Sequence, residues 1–220
     1  MENTLLKSNE MTVNAIVNSD GILKYETAKQ HRNSYETGNN LLDSALLFAS
    51  ECHEGQVRKG TSRPYILHPI ETMKILSDMK ADISLLIAGL LHDTLEDTSA
   101  TEEEIIKRFG IEVGFLVAAH SEDKSKSWEE RKKTAIQQTR EGSMRLKMLV
   151  MADKVSNLRS LYRDQKQIGE KIWERFNAPK EKQAWYYSEM KEALSEMEHY
   201  PETKDIYLEM TELYRLVFGT

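Results

Sequence analysis

From Leu41 onward apolar residues recur at steps of three and four, and the alternating pattern of a half-buried strand is nearly absent. That periodicity predicts an all-α fold. A first helix is expected over about 41–53, followed by a basic loop, Gln56-Val57-Arg58-Lys59-Gly60-Thr61-Ser62-Arg63. Pro69 suits the first position of the next helix, where its fixed φ and missing N–H cost little, and this sets His68 at that helix's mouth. The run Ile83-Ser84-Leu85-Leu86-Ile87-Ala88-Gly89-Leu90-Leu91 is apolar on almost every side, as in a central helix packed by neighbours all round. Thr101 with Glu104, and Ser127 with Glu130, have the spacing of capping boxes, and Gly110 can stop the first of these helices in a left-handed conformation. Further helices are expected over about 111–121, 128–140, 143–163, 180–197 and 202–217.

Residues 1–40 are different. They are rich in Asn, Ser, Thr, Lys and Glu, carry only scattered Leu, Ile and Val, and end in the turn-like Glu36-Thr37-Gly38-Asn39-Asn40. They read as a leader, partly flexible or docked on the surface. The expected organisation is this leader, a helical domain over 41–197, and a C-terminal helix within 198–220 packed on that domain.

Composition narrows the function classes. A chain of 220 residues, 40% hydrophobic and 30% charged, suits one soluble globular domain with a small extension. The formal charge of −6 opposes sequence-independent nucleic-acid binding, which needs many Lys and Arg side chains to release phosphate counterions. Any phosphate contact must therefore be local. No apolar stretch approaches the ~20 residues that span a bilayer, and the N-terminus carries no readable signal peptide. The lone Cys52 cannot form an internal disulfide, which fits a reducing cytoplasm; it reads as a small buried helix residue, with a redox role as the alternative.

Candidate chemistry begins at Asp153, which shares an otherwise apolar helical stripe with Leu146, Leu149, Val150 and Asn157. An unpaired buried carboxylate is costly, so Asp153 needs a cation, a hydrogen-bond network or a metal ion. Lys154 or Arg159 could be that cation. His92 and Asp93 end the most apolar helix, and Glu96 and Asp97 follow one turn later, close to His92 and Asp93 respectively. Clustered carboxylates repel unless a cation holds them, and imidazoles mixed with carboxylates suit manganese, iron, cobalt or zinc. Each group alone has a bland reading: His68, for one, could be a satisfied core or capping residue.

Three motifs occur in order: Arg58-Lys59 with Pro64-Tyr65-Ile66-Leu67-His68-Pro69, then His92-Asp93-Thr94-Leu95-Glu96-Asp97-Thr98, then Ala152-Asp153-Lys154-Val155-Ser156-Asn157-Leu158-Arg159. Together they resemble the hydrolase domain of the SpoT type, most of all the small single-domain alarmone hydrolases, over about residues 41–195. The resemblance implies an HD-type helical bundle holding one metal, usually manganese, through His68, His92, Asp93 and Asp153. It implies removal of the 3′-diphosphate of guanosine tetra- and pentaphosphate, with Glu96 and Asp97 as the catalytic acidic pair. It sets Arg58 and Lys59 at the nucleotide base, Asn157 and Ser160 near the ribose, and Lys124 and Arg131 as phosphate contacts. Gly60 stands where long bifunctional members tend to carry a side chain near the base, and no synthetase domain follows residue 195. The competing readings are an HD phosphohydrolase of another nucleotide (an adenosine alarmone, NADPH or a dNTP) and a non-catalytic nucleotide sensor.

Overall fold

The structure, a computed structural model, describes residues 40–219, so the expected leader lies outside the described residues apart from Asn40. The described residues form ten α-helices: α1 (Asn40–Cys52), α2 (Leu67–Asp78), α3 (Ile83–Leu91), α4 (Thr94–Asp97), α5 (Glu102–Phe109), α6 (Ile111–His120), α7 (Trp128–Glu141), α8 (Met144–Ile168), α9 (Lys180–Ala193) and α10 (Lys204–Phe218). Short 3-10 turns cover Gly169–Arg175 and Ser195–His199. The only β-pairing among the described residues is an isolated antiparallel bridge between Val57 and Pro64, which closes the basic loop.

The apolar α3 is the central helix, packed by α1, α2, α6 and α8. Asp82 starts it by accepting the Leu85 N–H at 3.0 Å, and Leu85, Ile87, Leu90 and Leu91 are then fully buried. Burial of each such side chain contributes ~1.5–3 kcal/mol, and a charge at any of them would break the core. The longest helix, α8, lies across α2 and α3 on one side and carries α10 on the other. Arg159 on α8 grips Glu209 on α10 with two bonds of 2.7 Å, so it is not the partner of Asp153.

Several helix ends differ from the expected ones. α2 begins at Leu67, two residues before Pro69. The first turn of any helix has N–H groups without intrahelical partners, so proline is tolerated at its third position too, and His68 lies inside the first turn. Ser127 and Glu130 form a complete capping box, but Thr101 forms only half of one: its side chain accepts the Glu104 N–H while the Glu104 carboxylate turns to Arg108 at 2.9 Å. Gly110 ends α5 at φ +97 and ψ 159, a positive φ outside the left-handed helical basin, and it also starts α6. α8 runs five residues past 163, because Asp164 to Ile168 continue the helix until Gly169 stops it at φ +62. Cys52 is half-buried at the end of α1 rather than buried.

Candidate metal centre and adjoining cleft

His68 from the first turn of α2, His92 from the end of α3 and Asp153 from the middle of α8 meet in the interior. They are 3%, 0% and 3% exposed, and their ligand atoms lie within 4.8 Å of one another. Hydrogen bonding defines which imidazole nitrogens face each other. His92 Nδ1 donates to the Gly89 carbonyl at 2.8 Å, an acceptor only. Ser156 Oγ gives its single proton to Glu71 Oε2 at 2.9 Å and therefore accepts from His68 Nδ1 at 2.8 Å. When both rings are neutral, both Nε2 atoms present lone pairs, 3.2 Å apart. Asp153 Oδ1 is 3.2 Å from His68 Nε2, and Asp93 Oδ2 is 3.0 Å from His92 Nε2 and 3.5 Å from His68 Nε2. Two lone pairs and two carboxylates converging in a buried site repel one another unless a cation lies among them. The donor set fits a divalent ion, with each histidine oriented from behind by a carbonyl or a serine–glutamate relay.

The carboxylates of the cluster draw positive charge to it. Burial opposes a charge on His92, yet the adjacent Asp93 carboxylate raises its pKa to about 9. His68 goes the other way, since burial outweighs Asp153 and holds its pKa low. Burial also opposes ionisation of Asp153, but Lys154 and the neighbouring histidines keep it well below the usual carboxylate range. Lys154 reaches Asp153 Oδ2 at 2.6 Å. Lys154 is thus the cation partner of one Asp153 oxygen, while the other faces His68 Nε2.

The cluster opens into a cleft of about 200 Å³ lined by Asp93, Glu96, Asp97, Lys132, Lys154 and Asn157 among others. Glu96 accepts the Glu122 N–H at 3.2 Å; burial raises its pKa, and the Glu122 charge adds to the effect. Asp97 and Asp93 share the Tyr65 hydroxyl, at 3.3 and 2.6 Å. Lys124 holds Asp97 Oδ1 and the Glu96 carbonyl, each at 2.6 Å, and Arg131 and Lys132 both pair with Glu122, at 2.9 and 2.6 Å. Lys124 and Arg131 therefore brace the acidic rim. Asn157 joins this cleft to a second one: its Nδ2 donates to Asp153 Oδ1 at 2.5 Å and its Oδ1 accepts from Arg58 Nη2 at 2.8 Å. The second cavity, about 240 Å³, is lined by Arg58, Lys59, Tyr65, Asn157, Ser160, Tyr187 and Phe176 among others. Arg58 lies 5.7 Å from the Tyr65 ring centre and Lys59 lies 5.7 Å from that of Phe176.

Sequence reasoning missed Tyr65, Ser156, Glu71 and His120 as members of this site. His120 Nε2 approaches Asp153 Oδ2 at 3.3 Å and its ring meets that of His92 edge-on. Its only sequence signal was a His at the end of an apolar helix, which is common in cores. Tyr65 and Ser156 did stand inside the motifs, but nothing in their spacing marks a hydroxyl as an orienting group.

An all-helical bundle with a buried His–His–Asp cluster is an HD architecture, and the chain belongs to the HD domain family, whose model matches residues 45–180. Over 126 residues it is 40% identical to the guanosine-3′,5′-bis(diphosphate) 3′-pyrophosphohydrolase of Xenopus tropicalis, covering 56% of this chain and 70% of that one. It is 35% identical over 133 residues to the GTP pyrophosphokinase of Myxococcus xanthus, where 56% of this chain spans only 17% of the relative. Among solved structures, a metazoan ortholog of SpoT, described as hydrolysing ppGpp with a role in starvation responses, superimposes with a TM-score of 0.67 at 29% identity, covering 83% of this chain and 97% of that one. Among the described residues no helix is long and apolar enough to cross a membrane.

Proposed function

We propose that this chain is a metal-dependent 3′-pyrophosphohydrolase of guanosine tetra- and pentaphosphate, acting in the cytoplasm with manganese as the ion. The observation that carries the reading is the junction of two cavities. One holds the His68, His92 and Asp153 cluster with Glu96 and Asp97, the other holds Arg58 and Lys59, and both share Tyr65 and Asn157. Such a pair fits a substrate with phosphates at one end and a flat base at the other. A relative and a structural neighbour described as acting on this alarmone support the substrate class.

In this reading His68, His92, Asp93 and Asp153 hold the ion, which when bound supplies a water of lowered pKa and neutralises phosphoryl charge. The chain's own residues do the rest. Water adds to the phosphorus that bears the ribose 3′ oxygen, the P–O3′ bond breaks, the 3′ oxygen takes up a proton, and pyrophosphate leaves with the new oxygen. Glu96, half-buried with a raised pKa, suits a group that takes and returns that proton near neutral pH. Asp97, held by Tyr65 and Lys124, orients the water. Lys154 and Lys132 line the cleft and offset charge on the departing diphosphate. Arg58 and Lys59 meet the base, and Asn157 and Ser160 meet the ribose; Lys124 and Arg131, paired with Asp97 and Glu122, would reach phosphate only from the acidic rim they brace.

The test is incubation with manganese and a panel of guanosine tetraphosphate, its adenosine analogue, NADPH and a dNTP, followed by product identification. Pyrophosphate and GDP from guanosine tetraphosphate are expected. Loss of 5′-phosphates alone would refute the substrate assignment.

A further inference from the structure

An ion triad sits at the far end of the second cavity, and none of the steps above uses it. Asp164, buried three turns along α8 from Asp153, takes Arg63 on Oδ1 and Arg175 on Oδ2, the latter at 2.9 Å. Two guanidinium groups on one carboxylate leave a net positive charge. Arg175 also lies across Gly60: a Cβ built on that glycine would fall 2.4 Å from Arg175 Nε and 2.5 Å from its Cδ. Gly60 has φ +70, which strains any residue with a Cβ, and Arg175 would have to move to admit one. Arg175 occupies the place that a residue-60 side chain would take, fixed by Asp164 and facing the cavity it lines with Phe176 and Tyr187.

This end of the site suits a base. Phe176, Tyr187, Leu161 and Ile172 supply ring and aliphatic walls, whereas the cleft around His68 and Asp153 is polar and charged. Asp153 and Asp164 are separated along the helix axis by about 16 Å, comparable with the length of a nucleotide that carries a 3′-diphosphate. Guanine shows two acceptors, N7 and O6, on one edge; adenine shows the N7 acceptor beside an N6–H₂ donor. A guanidinium carries donors only. It pairs with the first edge and opposes the second.

We infer that Arg175, held by Asp164 and seated over Gly60, is the specificity-determining residue by which the nucleoside cavity selects guanine over adenine. The inference rests on the nucleotide reading proposed above. Its test is calorimetric binding of GDP and of ADP to the full chain with manganese, alongside pyrophosphate release from guanosine tetraphosphate and its adenosine analogue. The wild-type protein should bind GDP about tenfold or more tightly than ADP. Arg175→Ala should bring that ratio close to one. Arg175→Gln, whose amide pairs with adenine N6 and N7, should turn it towards ADP. The ratio is internal to each variant, so partial unfolding lowers both affinities without moving it. A wild type without preference, one that binds neither nucleotide, or a ratio unaltered in both variants overturns the inference. Failure of the substrate reading looks different: GDP would be bound selectively while no nucleotide released pyrophosphate.

Discussion

His68 and His92 turn their Nε2 atoms towards one another across 3.2 Å, each ring fixed by a hydrogen bond on its opposite nitrogen. A cation bound among these nitrogens and the Asp153 carboxylate finds its site in the folded state alone, so it should stabilise the protein. Manganese at about a hundred times its Kd should add ~2.7 kcal/mol, read as a rise in melting temperature. A chelator should reverse the rise and stop pyrophosphate release together. An unchanged melting temperature would count against the cluster as a metal centre.

Ser156 contributes no ligand atom, yet it carries the link from Glu71 to His68. Ser156→Ala should leave the helix intact, because serine and alanine are both tolerated in α8. It should weaken manganese binding by about 10- to 100-fold, measured by titration calorimetry. Unaltered affinity would mean that packing alone orients His68.

Glu96→Gln keeps an oxygen able to accept the Glu122 N–H at 3.2 Å while removing the proton-transfer group. Turnover should fall by about 10²- to 10⁴-fold, with manganese affinity and melting temperature close to wild type. If metal affinity fell in step with turnover, Glu96 would be a ligand instead.

Asp82 starts α3 and pairs with Arg145. The Arg145 hydrogen bond lowers its pKa below the ordinary 3.8. A carboxylate whose folded pKa is depressed stabilises the fold above its unfolded value, and that contribution is lost as pH falls through the folded one. Asp82→Asn preserves the helix cap, so it isolates the charge. Because the pair is half-exposed, the variant should be less stable than wild type by no more than ~1 kcal/mol at pH 7. The gap should close in urea titrations carried out at acid pH below the carboxylate range. A gap that persisted there would assign the effect to the cap geometry.

Removing lysine's brace is the complementary experiment. Lys124→Ala frees Asp97 Oδ1 and the Glu96 carbonyl. The pair is solvent-exposed, so stability should change little; pyrophosphate release should drop, because the Asp97 carboxylate and the Glu96 backbone lose a fixed position. Full activity in this variant would make Lys124 a bystander on a charged rim.

Local pattern determined much of this protein. The spacing of apolar residues specified the helical class, the buried α3 and the buried setting of Asp153, because burial of one face is repeated every three or four residues and is visible in one dimension. His92 and Asp153 were legible for the same reason, as costly groups on apolar helices, whereas His68 was legible mainly through the motif resemblance. The exact helix ends were less so: Pro69 fits any of the first helical positions, and Glu104 had a competing partner in Arg108 one turn away. What only the tertiary structure decided lies between segments far apart in the chain. Arg58 meets Asn157, Glu71 reaches Ser156, Tyr65 bridges Asp93 and Asp97, and Arg175 fills the space over Gly60. Those pairings have no period. They arise from how α2, α3 and α8 cross, and that crossing is set by the sum of many apolar contacts, which the order of residues along one helix does not display.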